Sequence, residues 1–199
     1  NAARAVAAMA AGRDQNAAPA DRRPLIGVSA FGGTQKCVDV VTEKLTAAGF
    51  EIIHFHASGP GGRALEALAA AGELAGVVDV TTSELTDLVV DGVYSAGEDR
   101  LTAASAAGLP QVICPGALDH ANFWVGQAPA AFRDREFLQY NAQNLLMRTN
   151  GDEYRRLGHL FAERLNTSSG PVMVLIPQRG YSEHTKRKTY NLDGTERGD

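Results

Sequence analysis

Apolar positions along the chain fall into short, β-branched runs separated by segments with helical spacing. Leu25, Ile26, Val28 and Ala30 form a first run that predicts a buried strand. Cys37, Val38, Val40, Val41, Leu45 and Ala48 then mark one face of a helix closed by Gly49. The unit recurs. Residues 50–55 predict a second strand, 61–71 a second helix and 76–80 a third strand, each ending at turn residues. A helix is expected over 99–107, stopped by Gly108, and a fourth strand over 111–114. A further strand at 145–148, a helix at 152–165 and a last strand at 172–176 complete the pattern. Alternation of this kind requires right-handed crossovers. It predicts an α/β fold, a doubly wound, mainly parallel sheet with helices on both faces in three layers.

The ends read differently. Residues 1–11 are good helix formers ending at Gly12, and 13–24 are polar with Ala and Pro. Residues 1–24 are therefore taken as the end of a preceding domain's helix plus a linker, 25–182 as the α/β domain, and 183–199 as a polar tail leading to a further C-terminal segment. A length of 199 residues suits one domain with a full core. Apolar residues at 44%, charged residues at 21% and 21 glycines exclude disordered and collagen-like classes. With 19 Lys and Arg against 23 Asp and Glu, the chain lacks a broad basic surface for nucleic acid. Cys37 and Cys114 are too few for a disulfide framework, and no apolar run is long enough to span a bilayer. A cytoplasmic location follows as the expectation.

In a parallel sheet the ligand lies beyond the carboxyl ends of the strands, so the residues after each strand carry the functional reading. Gly32, Gly33 and Thr34 follow the first strand, and Gly59, Gly61, Gly62 and Arg63 follow the second. Thr81 and Thr82 follow the third, with Asp119 and Asn122 after the fourth. These residues are expected to converge on one cleft. The Gly59–Arg63 loop offers backbone N–H groups to phosphate or carboxylate at a helix N-terminus, although its spacing fits neither the P-loop nor the dinucleotide fingerprint. The alternative is a tight strand-to-helix turn with no ligand.

Among ionisable residues, His56 and Asp119 are the candidates for proton transfer or substrate hydrogen bonds. His54 and His56 are two apart on a strand and point the same way, with Phe55 opposite. Thr81 and Glu84 have the spacing of a capping box, which competes with a substrate-binding role for Glu84. The polar turn from Ser95 to Arg100 is either a second binding turn or a helix cap. Cys37 lies in the first turn of a helix, where a thiol pKa falls, but it is also a small residue suited to a core. Asp79, Glu84, Asp119 and His120 are available to a metal, yet no ligand motif links them and no metal site is assigned.

Phe31 to Thr34 with Cys37 and Val38, Phe55 to Gly59 with Gly61 to Arg63, Asp79 to Leu85, Ser95 to Gly97 with Asp99 to Leu101, Pro115 to Asp119 with Asn122 and Phe123, and Leu146 to Thr149 together carry a resemblance. They resemble the second half of a bacterial and plant family named after the tobamovirus-resistance protein of tomato and described as ATP-binding. The match runs through most of residues 24–182 in order. Cys114 and His120 depart from the small residues expected in that loop. The resemblance implies two Rossmann-like halves, with ATP, and Mg with it, held mainly by the first. It further implies small-molecule metabolism, an N-terminal half as partner, a TIM-barrel partner protein and a homo-oligomer. Two function classes follow. One is a ligand-binding or catalytic half of an ATP-linked metabolic protein that binds an anionic group at the strand ends. The other is a protein-interaction domain, as in the plant relative, which binds a viral replication protein. An exposed apolar patch would favour the second and a polar cleft the first.

Overall fold

The structure, a computed structural model, describes residues 23–185. The expectations for residues 1–22 and 186–199 lie outside them.

Five strands form a parallel sheet in the order β2-β1-β3-β4-β8: β1 (Leu25–Ala30), β2 (Glu51–His56), β3 (Gly76–Thr81), β4 (Gln111–Gly116) and β8 (Val172–Val174). The interior strand β1 is buried on both faces, as its β-branched and small residues require. One face is covered by α1 (Gln35–Ala47), where Val38 joins Ile26, Val28, Ala30 and Val80 in a core. The opposite face is covered by α2 (Pro60–Ala70) and α4 (Ala103–Ala106), around Phe55, Leu65, Ala69, Leu74, Val77 and Ala104. This is the three-layer α/β fold that the periodicity predicts.

Two elements depart from the sequence reading for local reasons. The helix expected over 99–107 shrinks to the four residues of α4, because Leu101 takes φ 71° and Arg100 turns wholly inward. Glu66 of α2 then accepts the amides of Leu101, Thr102 and Ala103, which begin the shortened helix. In the other departure, residues 84–90 form α3 (Glu84–Val90), to which the sequence reading assigned only a capping-box spacing of Thr81 and Glu84; the N-cap is Ser83 instead, with no side-chain cap bond.

A second sheet was also missed. After β4 the chain turns through Ala117 to Asp119 into β5 (His120–Trp124), which pairs antiparallel with β7 (Asn144–Arg148), and β7 with β6 (Phe137–Gln139). Residues 145–148 are thus a strand as expected, but of this separate three-stranded sheet. Its core of Ala121, Phe123, Phe137, Leu145 and Met147 packs on Val90 of α3. Helix α5 (Gly151–Leu165) follows, opened by a capping box between Asn150 and Glu153, and buries Leu157 against Leu85, Leu101, Ile113 and Leu118. The small sheet therefore stands over the carboxyl ends of the parallel strands, where it can wall a site.

The domain also extends beyond the boundary expected at residue 182. His184 is buried, Glu183 N–H donates to Gly33 O, and the Thr185 hydroxyl reaches Asp119, so residues 183–185 belong to the fold.

Candidate functional site

The Gly-rich turn after β2 already holds an anion, and that anion is internal. Glu84 Oε1 accepts the amides of Gly59 at 2.7 Å and Gly62 at 3.0 Å. A Cβ on Gly61 would stand 1.9 Å from His56 O, and one on Gly62 would stand 2.1 Å from Glu84 Oε2. The glycines permit this close approach of helix, strand and carboxylate. Glu84 thus caps α2 across space, and the side chain of Ser83, at the N-cap of its own helix, makes no cap bond. Arg63, exposed, donates to Ser95 O at 3.2 Å. The expected external anion on these amides is displaced by Glu84.

Behind that turn lies a buried ionic hub. Arg100 is fully buried and pairs with Asp79 through two bonds of 2.5 and 2.8 Å, with Glu84 at 2.7 Å and with Glu66 at 3.2 Å. Burial pushes the Glu84 carboxyl above its ordinary range, against the pull of Arg100. The hub ties β3, α2 and α3 together. Thr81 and Thr82 have the same joining part. Thr81 shares a hydrogen bond of 2.7 Å with Thr34, and the Thr82 hydroxyl donates to Cys114 O at 3.1 Å.

Asp119 is likewise engaged. Its carboxylate meets His120 Nδ1 at 3.3 Å, Arg148 Nη1 at 3.3 Å, and the hydroxyls of Ser182 at 2.9 Å and Thr185 at 2.8 Å. Burial alone would raise its pKa, but the hydrogen bond and charge of His120 and the two hydroxyls outweigh it and hold the group at about 2. A carboxylate so held fastens the segment 181–185 and orients His120; it is a poor base for proton transfer.

What remains is a cleft of about 140 Å³ between the strand ends and the small sheet. Phe31, Gly32 and Gly33 supply one side and His56 another, with Asn122 and Leu146 from the small sheet and His184 from the closing segment. The rings of Phe31 and His56 stack at 5.3 Å, while Tyr94 and Tyr140 add further aromatic wall. Asn122 is fully buried: its Nδ2 donates to Asp87 Oδ2 at 2.8 Å, and its Oδ1 has no partner among the described residues. Asp87 Oδ1 also accepts the backbone amides of Asn122 at 2.9 Å and Tyr94 at 3.3 Å. Burial pushes the Asp87 carboxyl up to about 7 despite these bonds.

Of the residues expected at one cleft, Gly32, Gly33, His56 and Asn122 line it together. Thr34 borders a neighbouring groove, Thr81 and Thr82 are inside the fold, and Gly59, Gly61, Gly62 and Arg63 form the Glu84 turn. Tyr94, Tyr140, Asn144 and His184 were missed. Tyr140, Asn144 and His184 reach the site through the small sheet and the chain beyond β8, and Tyr94 through the loop after α3.

The neighbouring groove, about 310 Å³, lies between α1 and the chain after β8 and includes Cys37, Cys114 and Leu175. Burial pushes the Cys114 thiol up to about 11, aided by Cys37 and Asp79, so it stays protonated near neutrality. Among the described residues no group of three or more His, Cys, Asp or Glu is placed to hold a metal ion, and no helix is long and apolar enough to cross a membrane. Neither the Gly-rich turn nor the 140 Å³ cleft fits a triphosphate. The loop amides hold Glu84, and the lining of the 140 Å³ cleft contains neither Lys nor Arg.

The family model for the C-terminal domain of the uncharacterised protein family UPF0261 matches residues 23–196. The chain belongs to this family. A UPF0261 protein of Mesorhizobium japonicum is 44% identical over 183 residues, covering 92% of this chain and 45% of that protein. A UPF0261 protein of Clostridium tetani is 44% identical over 161 residues, covering 80% of this chain and 40% of that protein. The ToMV resistance protein Tm-1 of Solanum lycopersicum is 40% identical over 158 residues, covering 79% of this chain and 21% of that protein. The chain thus spans less than half the length of these UPF0261 relatives, and its fold and cleft describe a C-terminal domain of the family.

Proposed function

We propose that this UPF0261 domain is the small-molecule-binding half of a two-part metabolic protein, with its ligand in the cleft between Phe31, His56 and Asn122. The observation that carries the reading is the unpartnered, fully buried Asn122 Oδ1 in a residue that lines an aromatic-walled cleft at the strand ends. A buried polar atom without a partner costs about 1–3 kcal/mol, which a ligand can recover. His56 is the group for proton transfer or substrate hydrogen bonding, and Asp119 holds the wall through which His184 enters. ATP and Mg belong, in this reading, to the other half of the protein, as do any TIM-barrel partner and further subunits.

The test is a thermal-shift screen of small metabolites on the intact protein, with hits measured by calorimetry on Asn122→Ala, His56→Ala and Arg63→Ala variants. The reading predicts weaker binding for the first two and unchanged binding for the third. Loss confined to Arg63→Ala would return the site to the Gly-rich turn.

A second reading, a protein-interaction domain, has its own observation. Val172, Met173, Val174, Leu175 and Ile176 are five consecutive apolar residues, all exposed, at the edge of the parallel sheet. The similarity to a plant resistance protein fits that reading. Replacing Met173 and Leu175 by Lys would separate the two, since metabolite binding should survive and protein association should not.

A further inference from the structure

Resting on the cleft reading above, we infer that Asp87 makes Asn122 a hydrogen-bond acceptor and thereby selects an uncharged ligand group bearing an N–H or O–H. The amide of Asn122 has two ends of similar shape and opposite polarity. A carboxylate can only accept from it, so the bond from Asn122 Nδ2 to Asp87 Oδ2 fixes which end is left over. The two backbone amides on Asp87 Oδ1 fix the carboxylate itself, and its full burial removes water as an alternative partner. The unpartnered polar atom of this cleft-lining residue is therefore Oδ1.

The rest of the lining points the same way. Phe31, Gly32, Gly33, Leu146 and the Tyr and His rings carry no Lys, Arg, Asp or Glu that would neutralise an ionic ligand within the cleft. An anion would place its lone pairs against Oδ1 with the Asp87 charge behind it. Above neutrality that charge is present, because burial sets the Asp87 carboxyl at about 7. A carboxamide, an alcohol or the N–H edge of a flat ring would meet an acceptor between aromatic faces. The cleft has room for only a few heavy atoms, so it holds such a group as a whole small molecule or as the end of a larger one.

The prediction is tested with acetamide and acetate, which share a shape and differ in offering an N–H. Binding is followed at pH 8.5 by the NMR shifts of the Gly32 and Gly33 amides and the His56 ring. The native protein should prefer acetamide by about tenfold. In Asp87→Asn the new amide keeps its oxygen on the two backbone N–H groups and turns its NH2 toward Asn122. That forces the Asn122 amide to flip and to present its own NH2 to the cleft, so the preference should fall or invert in favour of acetate. Asn122→Ala should abolish discrimination, and it keeps the idea testable if Asp87→Asn fails to fold. Equal binding of both probes by the native protein, or an unchanged preference in the variants, overturns the selection by Asp87 while leaving the cleft as the site. Shifts from neither probe overturn the cleft reading and this inference together.

Discussion

Glu84 and Gly62 approach so closely that no other residue is accommodated at position 62. The Gly62 amide donates to Glu84 Oε1 at 3.0 Å, and a Cβ would overlap Oε2 at 2.1 Å. Gly62→Ala should therefore lower stability by about 3 kcal/mol, measured by urea denaturation. If the variant unfolds like the native protein, the carboxylate is not the group that the turn was shaped to hold.

Arg100 is the common partner of Asp79, Glu84 and Glu66, all three on different elements. Replacing it by Met leaves three carboxylates without their cation and should cost about 3–5 kcal/mol. Chemical denaturation checks this. A loss below 1 kcal/mol would mean that the hub contributes little to the fold.

The alternation of strands and helices was legible because a buried parallel strand and an amphipathic helix each have their own period, as in Leu25–Ala30 and Gln35–Ala47. The second sheet was not, since β5 and β6 read as loop and β7, legible as a strand, finds Ala121 and Phe123 as partners only across space. The glycines after β2 were expected to hold an external anion, whereas the Gly59 and Gly62 amides hold a carboxylate of the chain itself. That the anion is Glu84, 22 residues from Gly62, is a tertiary fact with no local pattern. Gly32, Gly33, His56 and Asn122 were within reach of the rule that ligands lie beyond strand ends, whereas His184 required the path of the chain after β8.

Asp119 fastens Ser182 and Thr185 through a carboxyl held at about 2. Its folded pKa lies below the ordinary value of 3.8, so its contribution is present above that value and is lost as pH falls toward 2. Asp119→Asn should cost about 2 kcal/mol at pH 7, and its stability difference from the native protein should shrink between pH 4 and 2. Hydrogen exchange at the Glu183 and Thr185 amides should accelerate in the variant. Unchanged exchange there would show that the segment is held by other contacts.

Asp87 has the opposite sign. Its folded pKa is raised to about 7 from 3.8, mainly by burial, with the charge of Glu84 adding to it, so folding stability falls as pH rises through that interval. The Asp87→Asn variant lacks this titration. Its stability relative to the native protein should improve by up to about 4 kcal/mol from pH 4 to 7 and level off above. Urea melts across that range provide the check, and a constant difference would mean that Asp87 stays ionised throughout.

The central claim is that the ligand occupies the cleft lined by Phe31, Gly32, His56 and Asn122. The most direct measurement is a crystal structure of the intact protein with the tightest metabolite from the screen. The account predicts density between the Phe31 and His184 rings, with a donor atom about 2.9 Å from Asn122 Oδ1. Density on the Gly59–Arg63 turn with Glu84 displaced, or in the groove beside Cys37 and Leu175 with the cleft empty, would contradict it.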